Sequence, residues 1–151
     1  MNRTILPRSI LVAVEGSEPS LKESSIKAAN YAISVAGSFG AKLTAICVVQ
    51  IPEYIEESTR ESLRTELLAK SQSTLGEIER LAEIASIGFK SDTLETSGSI
   101  SSEICNYSEK EKFDLIVLGT RSNASSLTKL MLGSVASGVV GNAGCPVLVV
   151  R

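Results

Sequence analysis

Apolar and polar positions come in blocks along this chain, and the blocks predict strand and helix in alternation. "SILVAV", Ser9–Val14, is a short continuous apolar run rich in Val and Ile. Such a run suits a strand buried on both faces. "EGSEPS" then turns the chain, with Ser17 placed to cap a helix and Pro19 in its first turn. Leu21, Ile26, Ala29, Ile33 and Ala36 mark one apolar face of that helix, which runs to about Phe39, and Gly40 is its expected stop. "KLTAICVV", residues 42–49, predicts a second strand that ends before Pro52. A polar loop with Glu53, Glu56 and Glu57 follows, and Ser58 or Thr59 opens a long helix. Leu63, Leu67, Ile78, Leu81 and Ala85 form its apolar stripe, its charges form a solvated face, and Gly88 is expected to end it.

"FKSDTLET", Phe89–Thr96, is a more polar strand and belongs at a sheet edge. Ser99 begins a helix, with Glu103 near its first turn. "DLIVLG", residues 114–119, is the fourth strand, residues 127–142 the last helix, and "PVLVVR", residues 146–151, the fifth strand. Strand and helix thus alternate four times before the last strand. No linker, low-complexity tract or internal duplication interrupts them, so residues 1–151 read as one domain. Such alternation predicts an α/β fold with a mainly parallel sheet and helices on both faces. In such sheets ligands bind beyond the carboxyl ends of the strands, near the point where strand order reverses. The loops there are "EGSEPS", "QIPEY", "TSGS" and "GTRSNASSLTKLMLGSVA".

Composition narrows the chemistry. Apolar residues make up 43% of the chain and charged residues 21%, with a net charge of −2. No block of Lys and Arg stands out, which argues against a nucleic-acid partner. No apolar run approaches the roughly 20 residues of a membrane span. The N-terminal stretch leads straight into a core strand, so no signal peptide is read there. Cys47, Cys105 and Cys145 lack Cys-x-x-Cys spacing and read as small, reduced core residues of a cytoplasmic protein. Histidine is absent, which removes the commonest metal ligand and general base.

Two phosphate-binding motifs are missing. No Gly-x4-Gly-Lys-Ser/Thr string occurs, and the turn after the first strand holds only Gly16 instead of Gly-x-Gly-x-x-Gly. "GVVGNAG", with Gly138, Gly141 and Gly144, follows no strand and reads as close helix packing followed by a helix stop. "GTRSNASSLTKLMLGSVA" does have the ingredients of a cradle. Gly119 lets backbone approach a ligand, Thr120, Ser122, Ser125 and Ser126 offer hydroxyls, Arg121 offers charge, and Gly133-Ser134 offers backbone N–H groups. The alternative is a polar loop in which Gly133 absorbs a bend.

The chain resembles the universal stress protein family along almost its full length. "ILVAVEGSEPS", "DLIVLGTR", and "LMLGSVASGVV" leading to "CPVLVVR" carry the resemblance, the last block most specifically. It implies a Rossmann-like, adenine nucleotide alpha hydrolase-like sheet of order 3-2-1-4-5, and a homodimer joined through the last strand, Val147–Val150. One branch binds ATP through Gly-x2-Gly-x9-Gly-Ser/Thr, and other branches bind no nucleotide and act through protein contacts. Mapped here, Ala13, Val14, Glu15 and Val48 would line the adenosine side. Leu118, Gly119, Arg121, Ser122, Gly133, Ser134 and Val135 would lie around the phosphates. Two positions depart from the pattern. Ser122 stands where the second glycine belongs, with ten residues before Gly133, and Glu15 stands where ATP-binding relatives carry aspartate. The implied function is a stress-response regulator that binds ATP, with or without Mg²⁺, or else a nucleotide-free member acting on a client protein. Any hydrolysis would be slow, because no nucleophile–base pair is legible.

Overall fold

A computed structural model describes residues 5–15, 19–120 and 132–151, with side chains 19–21 excepted. Ser17, the side chain of Leu21, Arg121, Ser122, Ser125, Ser126 and the expected start of the last helix at Leu127 fall outside what it describes. The elements are β1 (Ser9–Val14), α1 (Pro19–Phe39), β2 (Lys42–Gln50), α2 (Glu57–Ile84), β3 (Phe89–Thr96), α3 (Ile100–Lys110), β4 (Leu115–Gly119), α4 (Ser134–Asn142) and β5 (Val147–Val150).

The strands form one sheet of order β3-β2-β1-β4-β5, and every described pairing is parallel. β1 lies in the middle, where Ile10, Leu11 and Val12 are fully buried. Alternation along the strand sends their side chains to opposite faces. Ile10, Val12 and Val14 pack with the Ala28, Ala29, Ala32 and Ala36 stripe of α1 and with Leu75, Ile78 and Ala82 of α2. Leu11 packs on the other face with Ile46, Val48, Ile116 and Leu118, beneath Ile104 of α3 and Val139 of α4. This double coverage is why the β1 sequence is a continuous apolar run. β3 is the edge strand its polarity suggests, and Thr96 is its one buried residue. Arg64 of α2 bonds both carboxylate oxygens of Glu95 on β3, at 2.9 and 3.0 Å. The hydrogen bond from Arg64 holds the Glu95 carboxyl below its ordinary range.

Element boundaries show what the pattern does not fix. Asp114, expected in β4, lies just before it, and its carboxylate accepts the backbone N–H groups of Arg8 and Ser9 at 2.8 and 2.9 Å. Helix α2 opens at Glu57 rather than at Ser58 or Thr59, and Gly88 does not end it. Its last residue is Ile84, Ala85 follows as C-cap, and Ser86 adopts φ 56°. Ile87 N–H donates to Ala82 C=O and Ser86 N–H to Glu83 C=O. This is the Schellman arrangement, which places its left-handed residue directly after the cap. Helix α3 ends the same way, with Lys112 at φ 58° and Phe113 N–H donating to Ser108 C=O. α1 uses the expected Gly40, at φ 66°, with Ala41 N–H donating to Ala36 C=O. Three helices share one stop, and only one of them carries the glycine that announces it.

A left-handed conformation costs a side-chain-bearing residue roughly 1–2 kcal/mol. Ser86→Gly is therefore expected to stabilise the fold by about 1 kcal/mol, less what glycine adds to the unfolded chain's freedom. The midpoint of urea unfolding reads this out, and an unchanged or lower midpoint would contradict the account.

Candidate functional site

The site lies where strand order reverses. From β1 the chain crosses to β2 on one side, while β4 pairs with β1 on the other. The carboxyl ends of β1 and β4 therefore diverge into loops on opposite sides of a crevice.

Helix α1 fixes both strand ends. The Ser25 hydroxyl accepts the Glu15 backbone N–H at 2.8 Å and donates to the Glu15 C=O at 2.9 Å. The neighbouring Ser24 hydroxyl donates to the Thr120 C=O at 2.5 Å. Thr120 N–H in turn donates to Val150 C=O at 3.0 Å, continuing the β4–β5 ladder one residue past the strand. A Cβ on Gly119 would meet the Ser24 hydroxyl and would stand 2.9 Å from the Ser24 carbonyl oxygen. The glycine at the end of β4 thus admits α1, and it also lines the crevice.

The far wall comes from α3 and α4. Gly133 caps α4 at φ 85° and ψ 161°, a region that only glycine occupies readily. Gly133 has no side chain with which to cap this helix end, and the first intrahelical bond runs from Ser137 N–H to Gly133 C=O. The N–H groups of the first turn have no acceptor within a helix. Gly133, Ser134, Val135 and Ala136 border a cleft of about 710 Å³ when its open mouth is counted. Val48, Ile100, Ile104, Leu118 and Leu132 supply its apolar lining, and Ser24, Ser25, Thr120 and Ser134 its hydroxyls. Glu15 is the one ionisable side chain among the described lining residues.

Ala13, Val14, Glu15, Val48, Leu118, Gly119, Gly133, Ser134 and Val135 all line this one cleft. Arg121 and Ser122 lie outside the described residues. The sequence reading missed Ser24, Ser25, Ile100, Ile104, Leu132 and Ala136. One signal was available: Ser25 falls one turn before Ala28 and Ala29 on the buried stripe of α1, where a hydroxyl needs a backbone partner. Among the described residues no group of three His, Cys, Asp or Glu side chains could hold a metal ion. No described helix is long and apolar enough to cross a membrane.

A sequence profile of the universal stress protein family matches residues 7–151. This chain belongs to that family. Universal stress protein MJ0531 of Methanocaldococcus jannaschii is 36% identical over 149 residues, spanning 97% of this chain and 83% of its own. The solved structure of universal stress protein UspA from Lactobacillus plantarum superposes with a TM-score of 0.78 at 25% identity, covering 98% of this chain and 100% of its own. Two other solved relatives hold adenine nucleotides. One, from Archaeoglobus fulgidus, is in complex with dAMP (TM-score 0.71, 16% identity, 97% and 100% coverage). The other, from Arabidopsis thaliana, has AMP bound (TM-score 0.68, 20% identity, 95% and 91% coverage). At these identities the last two establish a shared fold. The universal stress protein sheet order 3-2-1-4-5 is the order found here.

The Ser25 bridge yields a stability test. Ser25→Ala removes the hydroxyl that bonds the part-buried N–H and C=O of Glu15, at a cost of about 1–3 kcal/mol. Denaturant unfolding of the variant should show that loss, and a change below about 0.5 kcal/mol, within the range of ordinary surface substitutions, would mean the bridge is not a support.

Proposed function

We propose that this universal stress protein binds an adenine nucleotide, ATP foremost, in the cleft between β1 and β4. The observation that carries the reading is a pairing of opposites. An apolar slot meets the glycine-led N-terminus of α4 across a few residues. A purine ring fits the first, and a phosphate fits the second. The base lies against Val48 and Leu118, and the phosphates reach the N–H groups at Ser134 and Val135. The Glu15 carboxylate accepts from hydroxyl or amine donors of the nucleoside, in the place where ATP-binding relatives carry aspartate. Arg121 and Ser122, which follow Thr120 in the sequence, would serve the phosphate side. Mg²⁺ would arrive with the nucleotide, since the described lining offers only one carboxylate. Nothing in the described lining pairs a nucleophile with a base, so the reading is of a nucleotide-responsive regulator, with at most slow hydrolysis, acting in the cytoplasm on a client protein.

Titration calorimetry with ATP, with and without Mg²⁺, tests the proposal. Glu15→Ala should weaken binding by roughly 1–3 kcal/mol, the worth of a charge-assisted hydrogen bond. Gly133→Val should weaken it more, because the side chain cannot hold the glycine-only conformation that aims the first turn of α4. No heat and no thermal shift at millimolar ATP would place this chain with members that act through protein contacts alone.

The assembly we propose is a homodimer through β5. Ile116 N–H donates to Pro146 C=O, and Thr120 N–H to Val150 C=O. Even-numbered residues of β5 therefore bond inward to β4, and Val147 and Val149 turn their N–H and C=O groups outward along the sheet edge. Bare apolar edges invite pairing with a second copy. Val149→Pro removes an outward donor and leaves the bonds to β4 in place. Light scattering at micromolar concentration should find a dimer for the wild type and a monomer for the variant; a monomeric wild type would end this proposal.

A further inference from the structure

One face of α3 carries a run of small polar side chains at helical spacing, Ser101, Cys105 and Ser108. Both ends of this stripe touch the segment that forms α4 and its exit. A Cβ on Gly138 of α4 would lie 2.6 Å from Ser101 Cβ, so the two helices meet there almost backbone to backbone. At the other end the Ser108 hydroxyl lies 3.7 Å from Cys145 Sγ, just past α4. Cys105 sits between these contacts, one turn from each, and packs in the same cluster as Cys145. Both thiols are half-buried, whereas Cys47 is enclosed in the core on the opposite face of the sheet. The close approach at Gly138 holds α3 against α4, and the Ser108 contact places the Cys145 sulfur one helical turn from Cys105; a disulfide between the two requires Cα atoms about 4.4–6.8 Å apart.

We propose that Cys105 and Cys145 are a modification site, a dithiol that a hydroperoxide converts to a reversible disulfide within one chain. Burial, with the neighbouring Cys145 adding to it, pushes the Cys105 thiol up and keeps it protonated. We assign the first oxidation to Cys145, in the turn after α4, and Cys105 on α3 resolves it. Its sulfur takes one oxygen as the peroxide O–O bond breaks, giving a sulfenic acid and releasing an alcohol or water. The Cys105 sulfur then attacks the Cys145 sulfur. The S–S bond forms, the S–O bond breaks, and the hydroxyl leaves as water with the Cys105 proton. Two thiols lose two electrons and two protons, and the peroxide is reduced. The cross-link ties α3 to the exit of α4, the two helices that wall the cleft. It stands independently of the nucleotide reading.

Hydrogen peroxide on the purified full chain is the test. Wild type should lose about 2 Da in denaturing intact-mass analysis, yield a Cys105–Cys145 linked peptide, migrate as one chain without reductant, and regain its mass with dithiothreitol. Cys47→Ala should behave as wild type. Cys105→Ser should instead gain oxygen on Cys145, about 16 or 32 Da, because no second thiol resolves the sulfenic acid. Oxygen addition to wild type without loss of hydrogen, or a cross-link that joins two chains or uses Cys47, would overturn the proposal.

Discussion

Helix α1 approaches the carboxyl end of β4 so closely that a single methyl group on Gly119 would meet the backbone of Ser24. That approach lets the Ser24 hydroxyl reach Thr120 C=O and the Ser25 hydroxyl reach both backbone groups of Glu15. Two strands that diverge into separate loops are thereby tied to one rigid helix. Without these bonds the ends of β1 and β4 would hold buried polar groups away from water, a costly arrangement. Seating α1 on the strand ends therefore satisfies those groups and sets the floor of the cleft in the same stroke.

Much of this was legible in the sequence, for a definite reason. A strand buried on both faces must be apolar throughout, so "SILVAV" and "LIVLG" announce themselves, and the polar "FKSDTLET" announces an edge. Helix ends are written more faintly. Ser86 and Lys112 take left-handed positions that glycine would fill at lower cost, and tertiary packing overrides that local preference. Gly88, two residues beyond Ser86, looked like the stop because composition shows where glycine is and says nothing of where the bond pattern closes. The cleft was legible on its strand and α4 sides and not on its α1 and α3 sides. Ser24, Ser25, Ile100 and Ile104 belong to helices whose inward faces obey ordinary core periodicity, and only the topology brings them to the site.

Charge separates the two halves of the cleft. Its described lining offers one carboxylate and no basic side chain. The first-turn N–H groups of α4 carry a partial positive charge whose direction the helix fixes. Such donors lose no side-chain freedom on binding, and Gly133 alone sets their orientation. A glycine at that position has a conformational duty distinct from that of Gly119, whose duty is steric. Spacing motifs treat the two alike, while the structure assigns them opposite physical reasons.

The width of the cleft depends in turn on a seam that lies outside it. Ile100 and Ile104 face the crevice from α3, and Val135 and Ala136 face it from α4. The same two helices meet at Gly138 and Ser101, and Ser101 lies between Ile100 and Ile104 on α3. A larger residue at either position would part the helices, and the crevice would widen with them, because close-packed interiors transmit displacement instead of absorbing it. Small residues in this seam therefore control the cleft without touching its contents. They also explain why α4 can be short: nine residues suffice because one face rests on the sheet through Val139 and another on α3 through a glycine.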